Sequence, residues 1–199
     1  AFGACSLLGW PGLHAQSASA ALSRNEQEWR VMSRLGYGPS PAWAKAVQAA
    51  PDVRAYALAQ IDLAYTASQS APRIASDLAD FNAALPKIFD GGQRERQARA
   101  KRKEDAGGKV KDEDAAEIRR MDFSGAAAPE HFSRNMVQKA AAWRLASTAQ
   151  PEMEQPLLAR LTEFWFNHLN VYVGKGAVRP FTGHYVVNVA RKHALGKLE

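Results

Sequence analysis

The chain has 199 residues, of which 46% are hydrophobic, so it holds enough apolar material for one folded core. Its 14 glycines and 10 prolines are close to ordinary usage, which excludes a collagen-like chain and a wholly disordered one. The formal net charge of +6 favours attraction to nucleic acid, an anionic polymer or a membrane surface. One globular domain with a basic surface is therefore the first expectation.

The N-terminal segment predicts export. Residues 1–10 are small and apolar, a Pro-Gly pair interrupts them, and Ala18-Ser19-Ala20 offers the small residues that signal peptidase accepts. We expect residues 1–20 to be the remnant of a secretory signal, which predicts a periplasmic or secreted protein; the alternative is a buried N-terminal helix. The only cysteine also falls inside this segment, and no later run approaches the roughly 20 apolar residues of a membrane span.

Residues 21–199 are expected to form one helical domain. Ser23, with Glu26 three residues later, makes a capping box and predicts a helix over residues 25–35. A second helix is predicted to begin at Ser40-Pro41 and a third at Pro51, because a cap residue or a proline opens each pattern.

The middle of the chain combines an apolar stripe with a charged segment. Apolar residues spaced by three and four predict one helix over residues 74–88 that ends at Gly91-Gly92. Residues 94–103 then hold six cations and one acid, Glu95, which predicts a solvated helix or a mobile excursion over about residues 91–128. No aromatic residue lies between Arg94 and Arg120, so no specific nucleic-acid partner is expected there.

The last third of the chain predicts three more helices. The first of these helices begins at Pro129-Glu130 and ends at Pro151. The third runs over about residues 181–195. Between them, a long helix from Pro156 is predicted to place His168 on its apolar face. The residues of that face are Leu157, Leu161, Phe164, Trp165, His168 and Tyr172. A lone histidine in such a position is usually a core residue, and this interpretation is preferred to a ligand or a catalytic base. The fold class predicted is all-α, an irregular array of many helices.

Several motifs recur in a characteristic order along the chain. They are Arg34-Leu35-Gly36-Tyr37-Gly38-Pro39, residues 164–171, Gly174-Lys175-Gly176, then Tyr185, Asn188, Arg191 and His193-Ala194-Leu195-Gly196. In content, order and spacing they resemble the bacterial family called domain of unknown function 1800. The resemblance runs from about Asn25 to the end and departs from the family at Lys192, where proline is common, and in the charged insertion. Family members are generally much longer, so the resemblance implies the N-terminal portion of a larger helical protein, with no assigned activity.

Two classes of function stay open. The first is an exported hydrolase with a polar or metal-assisted site near the last two helices, formed by His168, Asn170, Lys175, Arg191 and His193. Such residues could surround an anionic or metal-bound substrate. However, the sequence has no evident nucleophile with an adjacent base and no His-x-x-x-His or Cys-x-x-Cys spacing, so it predicts neither a particular metal nor a cofactor.

The second class, which we prefer, is a noncatalytic binding or assembly protein. Asn167, His168 and Asn170 would then be buried hydrogen-bonding groups that tie the Gly-Lys-Gly turn to the preceding helix. An anionic surface or polymer is a possible partner, and the sequence does not identify a protein partner. The two classes differ in whether His168, Arg191 and His193 converge on an open cleft or are sealed individually.

Overall fold

The computed structural model describes residues 22–105, 131–169, 171–174 and 177–196. Within these ranges the chain is helical and forms no strand, which confirms the all-α prediction. No helix in the same ranges has the length and apolar content needed to cross a bilayer. The predicted signal remnant, and residues 106–128 of the predicted excursion, lie outside the described residues.

Seven α-helices follow one another in the described residues. They are α1 Arg24–Leu35, α2 Pro41–Ala49, α3 Val53–Gln69, α4 Leu85–Asp105, α5 Phe132–Ala149, α6 Pro156–His168 and α7 Thr182–Tyr185. Short 3₁₀ helices occupy Ala79–Asn82 and Arg179–Phe181, and α7 continues as a π-helical segment over Val186–Arg191.

The first helices begin where the local sequence predicts. The Ser23 hydroxyl and the Glu26 carboxylate form a reciprocal capping box at α1, and the Ser40 hydroxyl accepts the Trp43 N–H at α2. The hydrogen bond from the Ser23 side chain also holds the pKa of the Glu26 carboxyl below its ordinary value. The third helix starts two residues after Pro51 because Asp52 caps it. Each cap satisfies backbone N–H groups that the first helical turn leaves unpaired.

The prediction of a single helix over residues 74–88 is wrong. The chain instead forms the 3₁₀ turn at Ala79–Asn82, and α4 continues through Gly91-Gly92 to Asp105. Gly91 does not end the helix. It is instead the point where α4 packs against Phe132, since a Cβ there would lie 2.2 Å from the Phe132 ring. A glycine lets α4 and α5 approach closely, and this packing outweighs the low helix propensity of two glycines.

The main core lies around α5. Met136, Ala140 and Trp143 on α5 are buried together with Phe81 from the 3₁₀ turn and Phe166 from α6. The Trp143 Nε1–H donates to the Arg73 carbonyl at 2.9 Å, so the polar edge of this buried ring is satisfied. Burial of each large apolar side chain contributes about 1.5–3 kcal/mol, so these contacts fix the positions of the helices that flank α5.

The inward face of α6 differs from the predicted one. Leu157 is buried as expected, but so are Leu158, Ala159, Thr162 and Phe166, whereas Phe164, His168 and Tyr172 are exposed. The helix contacts α1, α3, α5 and the π-helical segment, so its buried surface wraps around more than one side. Two overlapping stripes of apolar residues fit the spacing of three and four equally well, and only the packing of these neighbours selects between them.

Candidate functional site

Arg191 lies at the end of the π-helical segment and is buried against Glu154. Its Nε donates to Glu154 Oε2 at 2.5 Å and its Nη2 to Oε1 at 3.3 Å, so the two groups form a bidentate ion pair. Such pairs need further hydrogen bonds to offset the loss of water around two charges.

Backbone carbonyls at the end of α3 supply those further bonds. Arg191 Nη1 donates to the Ser70 carbonyl and Nη2 to the Ala67 carbonyl, each at 2.8 Å. These oxygens belong to the last turn of α3 and its cap, where backbone carbonyls lack the full set of helical partners; the Ala67 carbonyl also accepts the Ser70 N–H at 3.1 Å. We call this group of Arg191, Glu154 and the two carbonyls the Arg191 hub. It joins three parts of the chain and leaves the guanidinium sealed from solvent.

The two histidines of the predicted site are exposed. The His168 ring stacks on Phe164 with centroids 5.5 Å apart and meets the edge of Trp165 at 5.7 Å. His193 lies in the turn that follows the π-helical segment. The core interpretation of His168 is therefore wrong, because the buried face of α6 is turned away from it.

The other predicted polar positions give a mixed result. Asn167 is exposed, so it is not the buried hydrogen-bonding group predicted, and Asn170 and Lys175 lie outside the described residues. Because Arg191 is sealed while His168 and His193 face solvent, these three residues do not form one open site. In the part of the chain that the structure describes, no group of three or more His, Cys, Asp or Glu residues could hold a metal ion.

A cleft that the sequence analysis did not anticipate lies between α4, α5 and the segment that carries Arg179. It encloses about 250 Å³ and we call it the arginine cleft. Its lining comprises Gly92, Glu95, Arg96, Arg99, Ser133, Ala177, Arg179 and Pro180. Three arginines and one glutamate therefore share the described wall of one concavity.

The carboxylate of this cleft is buried and fully engaged. Glu95 Oε2 accepts the Ser133 backbone N–H at 3.1 Å and also the Ser133 hydroxyl, while Oε1 accepts Arg99 Nη2 at 3.0 Å. Glu95 is 5% exposed. Because it accepts the Ser133 N–H, it caps the start of α5 from a different helix. The sequence feature that could have identified this group is Glu95 itself, the only acid within residues 94–103. The prediction of a solvated helix gave this acid no role.

A second cleft, of about 230 Å³, lies where α5 meets the end of α6 and the start of α7. Arg144 on its wall forms a bidentate ion pair with Glu163 and lies 4.2 Å above the Phe166 ring centroid. The buried Thr182 hydroxyl lines the same cleft and has no hydrogen-bond partner in the described ranges. This cleft is mostly apolar, since valines and alanines form most of its remaining wall.

Comparison with known proteins identifies a family but no characterised relative. A family model described as "Protein of unknown function (DUF1800)" matches residues 30–199. No curated protein and no solved structure matches the chain significantly.

Proposed function

The chain belongs to the DUF1800 family of proteins of unknown function, and we propose that it is an exported, noncatalytic binding or assembly protein. One observation carries the binding role. Leu58, Ile61 and Tyr65 follow one another on α3 at spacings of three and four residues, so they share one face of the helix. They are 56%, 45% and 53% exposed, respectively.

This face, which we call the α3 stripe, suits docking to another polypeptide. Isolated exposed apolar residues are ordinary on protein surfaces, but a helical row of them is typical of a face that another apolar surface covers. The adjoining side of α3 is already packed, because Val53, Gln60, Ala64 and Ser68 are buried. The partner is therefore expected to add to a helix that the domain itself holds in place.

The Arg191 hub supports a noncatalytic role. The Arg191 guanidinium is one of the predicted site residues that could have held an anionic substrate, and its donors are directed at Glu154 and the carbonyls of α3. Export is supported by residues 1–20 alone, whose composition suits a signal and its cleavage region.

A photo-crosslinking residue placed at position 61 of the full-length protein in its host tests the binding role. We expect a discrete crosslinked species from position 61 and from position 65, and none from exposed Lys45 on α2, which serves as the matched control. Equal crosslinking from position 45, or no species from either α3 position, would contradict the proposal. A hydrolytic activity that disappears in His168→Ala would replace it with the enzyme alternative.

Cell fractionation followed by N-terminal sequencing tests export separately. The expected product is periplasmic or secreted, with its first residue near Ala21. A cytoplasmic product that retains residues 1–20 would overturn this part of the proposal and leave the α3 docking test unaffected.

A further inference from the structure

The arginine cleft has more positive charge than its own carboxylate neutralises. Among the described residues that line it, Arg96, Arg99 and Arg179 are basic and Glu95 alone is acidic. Both carboxylate oxygens of Glu95 already accept hydrogen bonds, from Ser133 and Arg99. Few acceptor positions therefore remain for the other two guanidinium groups.

The other two arginines, Arg96 and Arg179, line the same cleft. Arg179 uses its Nε to donate to the Val173 carbonyl at 3.1 Å, which fixes the orientation of the guanidinium plane. Its Nη groups make no hydrogen bond within the described ranges, and there Arg96 makes neither a hydrogen bond nor an ion pair. A guanidinium that is oriented by one bond and open at its outer edge suits bidentate contact with an oxyanion.

We propose that the arginine cleft binds an oxyanion, either a carboxylate or a phosphate group, through Arg96 and Arg179. The cleft volume of about 250 Å³ indicates that only a small group enters. Sites for drug-sized molecules are usually roughly 300–1,000 Å³, so the anion is either a small molecule or the terminal group of a larger one. The buried Glu95 positions Arg99 and the start of α5, which gives the cleft a fixed wall.

This site goes beyond the proposed docking role and shares no residue with the α3 stripe. Failure of either proposal therefore leaves the other standing.

Isothermal titration of the full chain with inorganic phosphate and, separately, with acetate tests the site. We expect saturable binding of at least one anion that weakens as sodium chloride is raised, because the contacts are between charges near the surface. Arg96→Gln and Arg179→Gln should each weaken that binding by about tenfold, as expected for loss of one charge-assisted hydrogen-bonding group.

Arg54→Gln is the matched control, since Arg54 is an exposed arginine on α3 and its loss changes the net charge equally. It should change the affinity by less than about twofold, because attraction between distant exposed charges is largely screened. Arg96→Gln is the decisive variant, since no described contact depends on this side chain and its fold should be intact by circular dichroism. Unchanged binding in Arg96→Gln, equal weakening in Arg54→Gln, or no saturable binding of either anion would overturn the proposal.

Discussion

The Arg191 hub and the arginine cleft use the same pair of chemical groups in different surroundings. In the hub, both side chains are 5% exposed, and carbonyls of α3 take up the remaining guanidinium donors. In the cleft, the Glu95 side chain is 7% exposed, but its partner Arg99 is 40% exposed and two further arginines share the space. An ion pair is present in both places, so the surrounding backbone acceptors are what distinguish the sealed arginine of the hub from the arginines that line the cleft.

The largest expected effect comes from removing one half of the hub. Arg191→Met should lower the free energy of unfolding by about 3–5 kcal/mol, because the buried Glu154 carboxylate loses its cation and keeps the Gln155 backbone N–H as a donor, while the α3 carbonyls lose the donors that Arg191 supplies. Urea denaturation measures this loss. The double variant Arg191→Met with Glu154→Leu should recover much of it, since no buried charge is then left unpaired. A loss below about 1 kcal/mol in the single variant would show that the hub is open to water.

The next effect concerns the contact that holds α4 against α5 beside the cleft. Gly91→Ala should lower the free energy of unfolding by about 1–3 kcal/mol, because the new methyl group would overlap the Phe132 ring and force it to move. Gly92→Ala is the control. Its Cβ would meet only Pro180 Cγ at 3.8 Å, so the higher helix propensity of alanine should leave stability unchanged or slightly raised. Equal melting curves for the two variants would contradict the close packing described.

A smaller effect is expected from the cap that Glu95 provides. Ser133→Ala should cost about 1–2 kcal/mol, because the buried carboxylate loses its hydroxyl donor while keeping the backbone one. Ser147→Ala is the matched control on the same helix. Its hydroxyl is buried without a hydrogen-bond partner in the described residues, so its removal should be neutral or stabilising. Thermal unfolding of both variants decides, and a larger loss in Ser147→Ala would refute the assignment.

The smallest effect is expected at His168. His168→Ala should change the free energy of unfolding by less than about 0.5 kcal/mol, because an exposed ring that stacks on Phe164 contributes little to the core. Chemical denaturation measures this difference, and Phe166→Ala on the buried face of the same helix gives the contrast, with an expected loss of about 3–5 kcal/mol. A His168→Ala loss above about 2 kcal/mol would restore the core interpretation.

Local chemistry explains which parts of this fold are predictable from sequence. The starts of α1 and α2 are predictable because a cap and its helix are adjacent in the chain, as Ser23 and Ser40 illustrate. The course of α4 is not, because the glycine pair that predicts its end is packed against Phe132, a residue on another helix.

In the candidate site too, local features are predictable from sequence and contacts between distant segments are not. Arg191 is recognisable from sequence as a polar residue of interest, but its partner Glu154 is not, since nothing local connects an arginine to a carboxylate 37 positions earlier. The apolar spacing around His168 was visible, but it fits two stripes, and the neighbours of α6 determine which is buried. Glu95 stood out as the lone acid in a basic segment, yet its value depends on Ser133, which the fold brings to it.

The span of the Arg191 hub has a consequence for the order of folding. Its bonds to Ser70 and Ala67 cross 121 and 124 positions of the chain, and closing such a loop costs entropy before any contact compensates for it. Distant contacts of this kind slow folding, whereas the caps of α1 and α2 can form as soon as their residues meet. During synthesis, a chain that has not yet emerged as far as residue 191 leaves Glu154 in water and the end of α3 open. The hub can therefore form only after all three of its segments have been synthesised.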